Sequence, residues 1–108
     1  MEKKKLQLSE LITSQSANTI SGRATGEAYN EKNNILEELE NGQTFEIIIG
    51  PEIQAINDSF WKGFFSSVMK KYKSQKKIEE LFSFVANEYI KKSIEKNLQI
   101  LEIIVNSK

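Results

Sequence analysis

Apolar residues return at helical spacing in the middle of the chain, between residues 59 and 72. They recur every three or four positions, so one broad face of a long helix is apolar. The members of this stripe are Trp61, Phe64, Phe65, Val68, Met69 and Tyr72. Gly63 interrupts the helix at a cost of about 1 kcal/mol relative to alanine, which predicts that the sheet or another chain approaches closely there. We expect this helix to be the main packing element.

Two further stretches have the pattern of amphipathic helices. Between residues 23 and 40 the apolar residues lie on one helical face and the acidic residues face away, and Asn41-Gly42 provides a stop. The second stretch, residues 89–105, predicts a long terminal helix. Residues 77–81 predict only a short helical turn.

The remaining apolar runs predict strands. Residues 45–49 are rich in β-branched side chains, and their three adjacent isoleucines predict a central strand that is buried on both faces. Residues 6–12 predict a short first strand with a turn, residues 13–22 a polar loop, and residues 82–85 a third strand. The order β-α-β-α-β-α predicts an α/β fold in which helices cover a small sheet, with right-handed crossovers. At this length, residues 1–108 form one domain with a partly irregular segment at 1–22.

Composition excludes several classes of function. The chain has no histidine and no cysteine, which excludes the usual zinc sites, thiol nucleophiles and Ser-His-Asp triads. Its 15 basic and 15 acidic residues cancel, so net charge indicates no partner. No apolar run approaches the ~20 residues of a membrane span, and the start lacks a signal-peptide core. We therefore expect a cytoplasmic protein without membrane association, catalytic residues, metal or cofactor.

The one electrostatic asymmetry is a lysine-rich segment at residues 62–77, which contains no acidic residue. Such a cluster can contact nucleic acid or an acidic partner, but lysines at the end of a helix also complement its dipole. Neither arginines nor exposed aromatic residues are interleaved, which argues against nucleic acid as the partner. The basic patch consists of Lys70, Lys71, Lys73, Lys76 and Lys77.

Asp58 and Ser59 lie where the loop after the central strand leads into the aromatic helix. Loops in this position commonly carry functional residues. Either side chain could be the N-cap, which stabilises a helix by ~1 kcal/mol. Ser59 could instead accept a phosphate, because a helix N-terminus offers free amides and the positive end of the dipole.

Three neighbouring side chains are also candidates. Arg23, the only arginine, follows Ser21-Gly22, and its guanidinium could pair with Asp58 or Glu27, or bind a phosphate together with Ser59. For Phe60 and Trp61 two placements are open. Either both enter the core, or one covers a partner surface as an aromatic anchor.

Arg23, the strand at 45–49 and the pair Ser59-Phe60 at a helix start resemble the pattern of the STAS-like group of the DUF4325 type, over residues 21–101. This group is distantly similar to bacterial anti-sigma-factor antagonists. The resemblance implies a STAS-like fold and a regulatory role through a GHKL-type ATPase or kinase. In the antagonists that partner phosphorylates the serine at this position, which implies that Ser59 is the acceptor and Asp58 its neighbour.

Two hypotheses follow from the sequence. The first is a non-enzymatic regulatory domain that binds a protein, for which the resemblance implies a GHKL-type ATPase or kinase, with switching at Ser59. The alternative is a module that binds nucleic acid or a phosphate ligand through Arg23 and the lysine-rich helix end. The sequence predicts no oligomeric state.

Overall fold

The computed structural model describes residues 2–12 and 19–107, and this part of the chain has an α/β fold. Its strands, in chain order, are β1 (Lys4–Gln7), β2 (Thr19–Ile20), β3 (Phe45–Ile48), β4 (Ala55–Ile56) and β5 (Phe82–Val85). Its α-helices are α1 (Arg23–Lys32), α2 (Ile35–Glu40), α3 (Asp58–Tyr72), α4 (Gln75–Leu81) and α5 (Glu88–Asn106), and a 3-10 turn (Leu8–Leu11) follows β1. Within the described ranges no helix is long and apolar enough to cross a membrane.

The main sheet is parallel, and its strand order β1-β3-β5 follows the chain. Because crossovers between parallel strands are right-handed, this order places the connecting helices on one face. Phe82 lies on that face, with its ring centroid 6.2 Å from that of Phe64 and 5.3 Å from that of Phe65. On the other face Val85 is exposed and Ile48 is only half-buried. The prediction that the central strand is buried on both faces is therefore wrong for the second face.

Helix α3 is the centre of the core, as the spacing of its apolar residues predicts. Its buried side chains form an aromatic cluster, in which the ring centroids of Phe64 and Phe65 are 4.9 Å apart. Tyr29 of α1 joins the cluster, 6.0 Å from Phe64. Burial, and after it the neighbouring Glu10 carboxylate, raises the pKa of the Tyr29 phenol. The side chains of α3 in the core are Phe60, Trp61, Phe64, Phe65, Val68 and Met69.

The single helix predicted for residues 23–40 is two helices. Asn34 separates α1 from α2 in a left-handed conformation with φ 51°, which asparagine tolerates better than most residues. The carbonyl of Tyr29 at the end of α1 accepts both the backbone amide of Asn33, at 3.3 Å, and its side-chain amide, at 2.9 Å. The break turns α2 so that Ile35 and Leu39 reach the core.

Helices α1 and α3 touch through their backbones at two glycines. A Cβ atom added at Gly63 would lie 2.1 Å from the carbonyl oxygen of Arg23, and one added at Gly26 would lie 2.1 Å from that of Phe60. The buried side chain of Asn30 also donates to the carbonyl of Phe64 at 2.7 Å. Gly63 thus permits the approach of α1, and not of the sheet or another chain as predicted.

Strands β2 and β4 form a second, two-stranded parallel sheet that the sequence analysis did not predict. Thr19 and Ile20 fall in the segment interpreted as loop, of which residues 13–18 lie outside the described residues. The ladder continues with a hydrogen bond from the Asn57 amide to the Ile20 carbonyl at 2.8 Å. Two-residue strands are too short to show a period in sequence. Their pairing brings the starts of α1 and α3 together.

Candidate functional site

The first residues of α1 and α3 are neighbours, because the paired strands β2 and β4 lead directly into these helices. Gly22, with φ 102°, precedes α1, and its amide donates to the hydroxyl of Ser59 at 3.1 Å. The two loops therefore meet. We call this place, defined by Gly22, Asn57, Asp58 and Ser59, the helix mouth.

Asn57, and neither Asp58 nor Ser59, is the N-cap of α3. Its side-chain oxygen accepts both the backbone amide and the hydroxyl of Ser59, each at 2.9 Å. The expected cap position was wrong by one or two residues, because asparagine, aspartate and serine are almost equally good caps. The half-buried Ser59 hydroxyl instead bridges the two helix starts, since it donates to Asn57 and accepts from Gly22.

The exposed carboxylate of Asp58 connects α3 to α5. Its Oδ1 accepts from the side-chain amide of Asn97 at 2.9 Å and from the hydroxyl of Ser93 at 3.4 Å. An ion pair of Arg23 with Asp58 or Glu27 was one expectation, but within residues 2–12 and 19–107 Arg23 makes no ion pair. The guanidinium is therefore available to a ligand.

Of the two aromatic candidates at the start of α3, neither reaches the surface. Phe60 and Trp61 are both 0% exposed, and their ring centroids are 5.1 Å apart in an edge-on arrangement. The expectation that one of them covers a partner surface is not met, because both rings pack into the core. The exposed aromatic residue at the helix mouth is Tyr89, which is 76% exposed. It borders a depression of about 220 Å³ that also includes Asp58.

The lysines of the basic patch point in different directions. Lys71 pairs with Glu40 of α2, and Lys77 pairs with Glu80 at 4.0 Å. Lys76 is exposed, while Lys70 and Lys73 line a cleft beside α3. Successive residues of a helix are turned by about 100°, so a run of lysines in sequence does not form one patch in space.

The cleft lies between α1, α3 and α5 and has a volume of about 550 Å³. We call it the cationic cleft, because its lining contains four cationic side chains and no acidic one. Helix α5 supplies an apolar wall on the opposite side. The lining residues are Arg23, Lys62, Ser66, Lys70, Lys73, Leu101, Ile104 and Val105.

None of the four cations of the cleft has an acidic partner within the described part of the chain. Glu27 and Glu31 line a smaller groove of about 150 Å³ that adjoins the cleft, because both are bordered by Arg23, Ser66 and Lys70, but neither glutamate makes an ion pair with these cations. The cations of the cleft are thus not in ion pairs, whereas Lys71 pairs with Glu40.

Sequence analysis anticipated only part of this site. Lys62, Lys70 and Lys73 were grouped in one lysine-rich segment, and Arg23 was joined to its helix end, but nothing separated these four cations from Lys71, Lys76 and Lys77 or grouped them with the wall from α5. A partial signal existed, because Lys62, Ser66 and Lys70 are each four residues apart and hence share one face of α3, and Lys73 directly follows the helix. The contribution of α1 and α5 depends on tertiary packing.

Comparison of the chain with models of protein families, with curated proteins and with solved structures found no match. The described residues also contain no group of three or more acidic side chains that could hold a metal ion. The two candidate sites of the described residues are the cationic cleft and the helix mouth.

Proposed function

We propose that this protein is a non-enzymatic, cytoplasmic binding domain that holds an anionic ligand in the cationic cleft. The observation that supports the proposal is the set of four cations without acidic partners around one cavity. Like charges close together repel each other, and a bound anion removes that cost. The apolar wall lowers the local dielectric constant, which strengthens attraction between the ligand and the cations.

The chemistry of the lining suits a phosphate group. The guanidinium of Arg23 can donate two parallel hydrogen bonds to phosphate oxygens, while the lysines act as point charges. Ser66, half-buried on the floor of the cleft, offers a hydroxyl donor. Because the basic patch is dispersed, a small phosphate ligand is favoured over the extended backbone of a nucleic acid.

Removal of two cleft lysines is expected to weaken anion binding by at least about tenfold, because a hydrogen bond to a charged group contributes roughly 1.5–3 kcal/mol. The test is titration of the Lys62→Gln/Lys70→Gln variant with pyrophosphate, followed by amide chemical shifts. The matched control is Lys92→Gln/Lys96→Gln, since these exposed lysines lie outside the cleft. Equal affinity of wild type and both variants would contradict an anion site in the cleft.

A second candidate function, recognition of a protein at the helix mouth, is favoured by the exposed ring of Tyr89 beside Asp58. Exposed aromatic residues are common anchors in interfaces. The resemblance to STAS-like domains suggests a GHKL-type ATPase or kinase as the partner. A phosphate on Ser59 would remove the hydroxyl proton donated to Asn57 and place negative charge at two helix N-termini. Phosphorylation of Ser59 would therefore change both the hydrogen bonds and the charge of the helix mouth.

For this candidate we expect Ser59→Glu and wild-type protein to recover different amounts of a GHKL-type ATPase in a pull-down. Adding Tyr89→Ala to wild type or to Ser59→Glu should lower the amount of ATPase recovered, because this change removes the aromatic anchor. The control is Ile103→Ala, which removes an exposed apolar side chain from the far end of α5. Equal recovery with all five proteins would leave Ser59 with only the structural role of bridging α1 and α3.

A further inference from the structure

The cationic cleft has an apolar side that an inorganic anion does not use. Leu101, Ile104 and Val105 project from the last two turns of α5 and form one wall. Leu101 is buried and Val105 half-buried, whereas Ile104 is 49% exposed. Exposed apolar area of this kind, next to concentrated charge, is typical of a site whose ligand has both a charged and an apolar part.

The cations are spread along the cleft. From Lys62 to Tyr72, the last residue of α3, the helix axis advances by about 15 Å, at ~1.5 Å per residue, and Lys73 follows directly. Arg23 lies near the first half of α3, because its backbone contacts Gly63. Lys70 and Lys73 flank the end where α5 supplies Ile104 and Val105, and their methylene stems can cover an aliphatic chain while the ammonium groups stay in water. The cleft is therefore elongated, with a polar half and an amphipathic half.

The wall also indicates which kind of apolar group fits. None of the lining residues is aromatic. Nucleobases are usually held by stacking on aromatic rings or arginine planes, and the one arginine is the best phosphate donor of the site. Branched aliphatic side chains instead suit an alkyl or isoprenyl chain. At about 550 Å³ the cleft is within the usual range for small-molecule sites.

We propose that the ligand of the cationic cleft is the phosphate monoester of an aliphatic alcohol. This inference rests on the proposed function and gives it a ligand class. The phosphate lies between Arg23, Lys62 and Ser66, and the chain runs along Leu101, Ile104 and Val105 toward the end of α5. Four cations without an acidic residue match the dianion of a phosphate monoester better than the single charge of a carboxylate.

Calorimetric titration of the whole chain with decyl phosphate, inorganic phosphate, decanoate and adenosine monophosphate tests this ligand class. Decyl phosphate is expected to bind at least about tenfold more tightly than inorganic phosphate or adenosine monophosphate, because burial of two methylene groups already supplies about that factor. It should also bind more tightly than decanoate, because its head group carries a second negative charge. Equal affinity for decyl phosphate and inorganic phosphate would overturn the aliphatic class while leaving the anion site. Tighter binding of adenosine monophosphate or of decanoate than of decyl phosphate would also overturn it.

A pair of variants separates the cleft from general adsorption of an alkyl chain. Ile104→Asn removes part of the wall and should weaken binding of decyl phosphate at least about fivefold, and by a larger factor than binding of inorganic phosphate. Ile103→Asn is the matched control, because Ile103 is 62% exposed on the same turn and does not line the cleft. Equal losses in both variants would indicate adsorption and overturn the proposal. Absence of binding by every phosphate probe would instead refute the anion site itself.

Discussion

The Gly63→Ala variant is expected to lose at least about 2 kcal/mol of stability, although alanine is the better helix former. On a helix without close neighbours this change would stabilise the protein by about 1 kcal/mol. In α3 the new Cβ would lie 2.1 Å from the carbonyl oxygen of Arg23, an atom of the backbone that no rotamer change can move away. The two helices must separate, and overpacking of this kind typically costs 1–3 kcal/mol or more.

The sign of the change in melting temperature makes this a strict test. For a domain of this size 2 kcal/mol corresponds to a decrease of roughly 10 °C. Gly26→Ala should behave in the same way, because its Cβ would meet the carbonyl of Phe60. Ser67→Ala, at a half-buried position of the same helix, is the control and should change little. A higher melting temperature for Gly63→Ala would mean that α1 does not touch α3 there.

The Phe64→Ala variant is expected to be unfolded or nearly so. Phe64 is 1% exposed, and its ring lies among those of Tyr29, Phe65 and Phe82. Truncation of a buried phenylalanine typically costs 3–5 kcal/mol, which is close to the whole stability of a small domain. Circular dichroism during urea unfolding measures the loss directly.

Tyr89→Ala is the matched control for Phe64→Ala, because it removes an aromatic ring that is 76% exposed and should cost little. Lys70→Ala should likewise have a small effect on stability. If Phe64→Ala kept its melting temperature but lost self-association or partner binding, the apolar stripe of α3 would face outward as an interface. The assignment of the core would then be wrong.

The elements that could be predicted from sequence are those whose own residues decide their structure. The apolar stripe of α3, the long pattern of α5 and the alternation in β5 each extend over enough residues to show a period. The break between α1 and α2 was missed because Asn33 and Asn34 are compatible with a helix interior at modest cost. What decides the break is the packing of α2 on the core.

The site was harder to predict than the fold, because it depends on contacts between elements that are distant in sequence. Strands β2 and β4 form only by pairing with each other, so neither has a recognisable pattern in its own sequence. The lysine cluster was visible, yet its division into Lys71, paired with Glu40, and Lys70, facing the cleft, follows from the rotation of α3. The wall from α5 is visible only once α5 lies against α3.

The backbone contact between α1 and α3 also bears on how fast and how tightly a ligand can bind. Because the backbone of Arg23 packs directly against Gly63, the Cα atom of Arg23 has a fixed position relative to α3. A ligand then has to order only side chains, at roughly 0.5–1.5 kcal/mol for each one immobilised, and no backbone segment. Association should therefore proceed without a slow conformational step, and differences in affinity among ligands should reside in their dissociation rates.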